Sequence, residues 1–193
     1  MGGRAGGSGT GFGSRSVSLG ATERGYSREF AKAVFAQEAA IKDYGVEHGI
    51  VFDEKGNVIA HEIGNQYQVG FNPRDIKGRV VTHNHPDGYD AHGLSGADLR
   101  AVVQGDMKEL RAVTGSHVFS VKRPSGGWGK TAGAVTRKYN DVVKKQALAD
   151  RKFIDSYKGD KKALGKKLDA TFYHRVTKTV TKSFGWDYTY KKT

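Results

Sequence analysis

The residues best suited to chemistry in this chain are Thr82-His83-Asn84-His85-Pro86-Asp87-Gly88, followed by Leu94-Ser95-Gly96-Ala97-Asp98-Leu99. In an extended segment, residues i and i+2 point to the same side, so His83 and His85 can converge on one ion. A third ligand is needed. Asp98 is the best candidate, because it falls on the first turn of a helix that Ser95 would cap. Two neutral imidazoles and one carboxylate suit zinc, and a three-ligand set leaves a position open for water. Such an ion lowers the pKa of its water to about 7, which makes hydroxide available at neutral pH. Hydrolysis also needs a proton shuttle. Glu47 is the candidate; Glu54 and Glu62 fall in or near turns. Ser95 could donate to the oxyanion that forms on a scissile carbonyl. His92 is a possible fourth ligand that would close the site, or a loop histidine near its mouth.

These side chains need fixed elements to hold them. Phe30, Val34, Ala40 and Ile41 predict a helix over about 26–44, with Gly45 as its stop. Val46–Phe52 and Val58–Ala60 flank Asp53-Glu54-Lys55-Gly56-Asn57, the pattern of a hairpin. A third strand is expected near Gln66–Phe71, and a single helical turn from Asn72. Gly78-Arg79-Val80-Val81-Thr82-His83 reads as a short buried strand that delivers the histidines. Ser95 then caps a helix over about 96–105, and strands are expected at 109–113 and 117–121. Residues 131–183 read as basic helices broken near Gly159 and Gly165.

Glu47 on the first strand, His83-x-His85-Pro86, and Ser95-x-x-Asp98, in that order, resemble the JAMM motif of the JAB/MPN metalloproteases, a family that includes RadC-like and phage-type members. The resemblance covers about residues 26–125. It implies an α/β fold with a mixed central sheet flanked by helices, related to the cytidine-deaminase-like architecture. It further implies a zinc-dependent hydrolase that cleaves a peptide or isopeptide bond. His83, His85 and Asp98 would bind Zn²⁺, Glu47 would hold and deprotonate the zinc water, and Ser95 would stabilise the tetrahedral intermediate. Residues 86–97 form a longer gap than the family pattern, with the excess in Asp87–Gly93. Only 35 residues separate Glu47 from His83, which points to a minimal version of the fold. The alternative is a nucleic-acid-associated, phage-structural or toxin module, such as a metal-dependent nuclease, that retains the JAB-like fold.

Composition sets the limits around this site. The chain has 193 residues, no cysteine and a formal net charge of +12. Disulfides, cysteine-ligated zinc and the Pro-Cys-x-x-Cys signature of zinc deaminases are therefore excluded. The letters His-Asn-His match an HNH nuclease only by accident, since that site spreads its residues over a hairpin and a helix. No run of about 18 apolar residues occurs and the first residues lack an apolar core, so neither a membrane span nor a signal peptide is expected. The expected location is cytoplasmic, or in association with a phage particle. Residues 137–193 hold 16 Lys+Arg against 6 Asp+Glu, a net of +10. Such a segment suits nucleic acid, anionic lipid or an acidic protein partner, in addition to the protein or peptide substrate, or is simply a solvated face. Phe172, Tyr173, Phe184, Trp186, Tyr188 and Tyr190 lie among its lysines and could stack on bases or pack the last helix. Three segments are expected: a Gly-rich disordered arm over 1–22, the metal-binding domain over 23–130, and a basic helical extension over 131–193. His48, His61, His117 and His174 show no partner spacing.

Overall fold

A computed structural model describes residues 25–86 and 93–192. The arm expected over 1–22, and His92 with most of its loop, lie outside the described residues. The elements run α1 (Arg28–Ile41), β1 (His48–Phe52), β2 (Val58–Ile63), α2 (Pro73–Ile76), β3 (Val80–Asn84), α3 (Gly96–Gln104), β4 (Glu109–Val113), β5 (His117–Lys122), α4 (Ala132–Ser156), α5 (Lys161–Ala170), α6 (Phe172–Phe184) and β6 (Asp187–Lys192). The fold is mixed α/β, around one six-stranded sheet of order β2-β1-β3-β4-β5-β6. Among the described residues only β3 and β4 pair in parallel. Parallel neighbours need a crossover, and α3 supplies it. Asp53 shapes the β1–β2 turn by accepting the Lys55 and Asn57 amides at 2.8 Å each. The third strand expected at 66–71 does not form. Asn65 instead folds that segment into a turn, its Oδ1 accepting the amides of Tyr67 at 2.8 Å and Gln68 at 3.1 Å.

Alternation along the strands divides the core in two. Ile50, Phe52 and Val80 pack against Phe30, Val34 and Ile41 of α1. Val51, Val81, Leu110 and Phe119 face the opposite layer, with Leu99 and Val102 of α3. The α1 face also buries a charge cluster that the sequence gives no sign of. Arg111 reaches Glu38 of α1 through Nε at 2.6 Å and Nη2 at 3.1 Å, and Glu109 through Nη1 at 3.1 Å. Thr82 donates to Glu38 at 2.9 Å, and Ser120 donates to Glu109. Burial alone would lower the pKa of the Arg111 guanidinium; Glu38 and then Glu109 outweigh it and raise the pKa.

The segment expected as a helical extension belongs to the same core. Val135, Tyr139 and Val142 of α4, Val176 and Val180 of α6, and Trp186 are buried with the α3-side residues. Strand β6 completes the sheet beside β5. Trp128 and Trp186 meet edge to face at 4.7 Å, and Trp186 donates to the Trp128 carbonyl at 2.9 Å. Of the aromatics of this segment, Trp186 is buried, Phe172, Phe184 and Tyr188 pack partly buried against the core, and Tyr173 and Tyr190 are exposed. The expected break at Gly165 does not occur, because α5 runs through it; the chain breaks after Ser156 and at Thr171. No helix among the described residues is long and apolar enough to cross a membrane.

Candidate metal centre

The strand β3 and the N-terminus of α3 bring the three proposed ligands together. His83, buried, points to the α3 side of the sheet, and His85 follows just past the end of β3. Their Nε2 atoms lie 3.1 Å apart. Asp98 Oδ1 is 3.5 Å from His83 Nε2, and Asp98 Oδ2 is 3.9 Å from His85 Nε2. One donor atom from each of the three falls within 4.8 Å of the other two. Ligand bonds of about 2.0–2.1 Å in a tetrahedron place donors roughly 3.3 Å apart, close to these separations. Two imidazoles and a carboxylate so arranged could hold a metal ion.

Asp98 is oriented by its own helix. Ser95 Oγ accepts the Asp98 amide at 3.1 Å, and Asp98 Oδ2 accepts the Ser95 amide at 2.6 Å, a capping box. The second oxygen, Oδ1, remains directed at His83. Burial would raise the Asp98 pKa, but the charges of His83 and His85 and the hydrogen bonds from Ser95 outweigh it and lower the pKa, so this side chain stays a carboxylate. Gly96, next to Ser95, lets α4 approach: a Cβ there would meet the Tyr139 ring at 2.8 Å. Thr177 of α6 also donates to the Leu94 carbonyl. The turn that carries Ser95 and Asp98 is thus held by the helices of the basic segment.

Glu47 sits one residue before β1 and is buried, with 8 % of its surface exposed. Its main chain extends the β1–β2 ladder, donating to the Asn65 carbonyl and accepting from Gly64, both at 2.8 Å. Its side chain lines a cavity of about 280 Å³ that also exposes His83, His85, Ser95 and Asp98. Burial pushes Glu47 up to about 7; the His85 charge opposes this and Asp98 adds to it. Phe71 enters the same cavity across Gly49, where a Cβ would lie 2.1 Å from the Phe71 ring. The five residues singled out by spacing, Glu47, His83, His85, Ser95 and Asp98, therefore meet in one cavity. An adjoining pocket of about 250 Å³ is bordered by Tyr67, Gly93 and Tyr173.

Asn84, between the two histidines, has a role that spacing did not reveal. It points to the opposite face of β3 and is fully buried. Its Oδ1 accepts the His48 amide at 2.6 Å, and its Nδ2 donates to the carbonyls of Tyr44 and Val46 at 3.1 Å each. Strand alternation alone puts Asn84 on the other face from the histidines; its partners 36 to 40 residues away are a matter of tertiary structure. The other histidines have neighbours as well. His48 Nδ1 lies 3.0 Å from His61 Nε2, and His174 Nδ1 lies 3.0 Å from the Tyr188 hydroxyl.

Comparison with protein-family models, with curated proteins and with solved structures gives no match for this chain.

Proposed function

We propose that this protein is a zinc-dependent hydrolase similar in chemistry to the JAMM metalloproteases, acting on a peptide or isopeptide bond. The observation that supports this reading is the meeting of His83, His85 and Asp98 within 4.8 Å, in a cavity that Glu47 and Ser95 also line. His83, His85 and Asp98 would hold the ion. Zinc supplies Lewis acidity, which lets water act as a nucleophile near neutral pH. The chain supplies the rest. Glu47, enclosed in the cavity, takes a proton from the attacking water and returns it to the leaving nitrogen. Ser95 Oγ accepts the Asp98 amide, and its hydroxyl, which donates to the Asp98 carboxylate in the free protein, would turn to donate toward the oxygen of a scissile carbonyl. Phe71 and Tyr67 cover apolar parts of the cavity wall and limit water around the reacting bond.

The test takes the full chain through chelator treatment, zinc titration and peptide-hydrolysis assays. The wild type is expected to bind one zinc per chain, and the double variant His83→Ala, His85→Ala to bind none. Glu47→Gln should keep the fold and the zinc but lose about 10²–10⁴-fold in rate. Zinc binding unchanged in the double variant would reject the ligand assignment. Hydrolysis unchanged in Glu47→Gln would reject the proton-transfer role.

A further inference from the structure

The long helix α4 buries side chains only along its first half, and its second half is tied to α6 through the Asp150–Arg175 pair. Its buried residues are Val135, Tyr139 and Val142, and none follows. Helix α5 has no buried residue at all. The second half of α4 and all of α5 therefore form an arm that rests on the core without being part of it. Between Lys144 and Ala170 the arm carries nine cations against four carboxylates. One of the four, Asp150, is taken by Arg175, which grips both its oxygens at 2.6 Å. Another, Asp160, caps α5 by accepting the Ala163 amide at 2.9 Å. Among the described residues, Lys145 is the one cation of the nine with a carboxylate partner, Asp141 at 3.0 Å.

This charge is badly arranged for the chain by itself. Lys162 and Lys166 stand one turn apart on the same side of α5, and like charges at that spacing destabilise a helix. A partner carrying regularly spaced negative charge would remove the cost. The apolar residues of α5, Leu164 and Leu168, are half-buried, so α5 has no free apolar face to press into lipid. At the end of α4, however, Phe153 and the capping residue Tyr157 are exposed at 53 % and 42 %, with rings 6.3 Å apart, beside Arg151, Lys152 and Lys158 in sequence. Exposed aromatic rings among cations are the elements of single-stranded nucleic-acid binding, in which phosphates meet lysines and bases stack on rings.

We propose that the α4–α5 arm is a docking surface for single-stranded nucleic acid, with Lys161, Lys162, Lys166 and Lys167 contacting phosphates and Phe153 and Tyr157 stacking on bases. The site does not depend on the hydrolase reading. It differs from the sequence expectation in one important respect: Phe172, Phe184, Trp186 and Tyr188 pack against or within the core, so they are not the stacking residues.

Truncation of residues 137–193 would remove core side chains, so the test uses charge reversal on α5, where nothing is buried. Fluorescence anisotropy with a labelled single-stranded oligonucleotide is measured across a salt series. The wild type should bind at low salt, with log K falling linearly with log salt. The variant Lys161→Glu, Lys162→Glu, Lys166→Glu, Lys167→Glu should melt like the wild type yet bind at least about 100-fold more weakly, with the salt slope reduced by about 3 for four lost phosphate contacts. Phe153→Ala, Tyr157→Ala should lose about 10-fold or more with the slope unchanged, as stacking contacts predict. Absence of binding at low salt, or undiminished binding by either variant, would overturn the proposal. So would tight binding to phosphatidylserine vesicles without binding to the oligonucleotide.

Discussion

Asn84 holds the main chain on both sides of Glu47: its side chain accepts the His48 amide at 2.6 Å and donates to the Val46 carbonyl at 3.1 Å. One side chain thereby ties the strand that carries His83 to the residue proposed to move protons. The histidines project from one face of β3 and Asn84 fixes Glu47 from the other.

Replacing Asn84 with Ala should leave the part-buried His48 N–H and the Tyr44 and Val46 carbonyls without this partner, at a cost of about 1–3 kcal/mol. Zinc affinity should fall little, because His83, His85 and Asp98 keep their own supports, whereas the hydrolysis rate should fall strongly. Urea denaturation, zinc titration and single-turnover rates on the same preparation check the three parts.

Gly96→Ala should destabilise the protein by about 1–3 kcal/mol through overpacking against the buried Tyr139 ring. The smaller Tyr139→Leu should relieve part of that cost when the two are combined. A double-mutant cycle by chemical denaturation measures the coupling; strictly additive effects would show that the helix N-terminus bearing Ser95 and Asp98 is not held by this contact.

Arg111→Ala should cost about 3–5 kcal/mol, since it leaves the buried Glu38 carboxylate without its cation. Arg111→Met combined with Glu38→Leu and Glu109→Leu should recover much of the loss, because apolar groups of similar volume need no pairing. Thermal or urea unfolding of the two variants decides this.

The Asp150–Arg175 pair gives a pH dependence with a definite sign. The Arg175 hydrogen bonds, ahead of an opposing effect of burial, lower the Asp150 pKa below its usual 3.8. A lowered carboxylate pKa adds stability that is complete above the unfolded-state value and is lost as pH falls through the folded-state value. Asp150→Asn should therefore cost about 1–2 kcal/mol at pH 7, between exposed and buried pairs, and the difference from wild type should shrink as pH falls below the usual carboxylate range through the lowered folded-state value. Urea midpoints measured from pH 7 to pH 2.5 provide the check.

The sequence by itself was enough for the local parts. Apolar patterning located α1, β3, β4 and β5, because each is a short run whose pattern depends on its own residues. Ser95 marked a helix start, because capping is settled within four residues. The i, i+2 spacing of His83 and His85 put both on one side of an extended segment. What depended on distant partners was decided by the tertiary structure. Gln66–Phe71 has strand-forming residues but no neighbour to pair with, since Asn65 turns the chain away. The strand β6 exists because the β5 edge is open to it, and its own run of Tyr and Lys does not announce a strand. Glu38, Glu109 and Arg111 look like surface charges in a row of letters, and only their closure upon one another between α1 and β4 makes burial tolerable. The basic C-terminal segment reads as one unit of charge. The packing of α4, α6 and β6 onto the sheet divided it into a half that builds the core around Ser95 and Asp98 and an arm left to solvent, because burial depends on which apolar faces find a partner and charge composition does not record that.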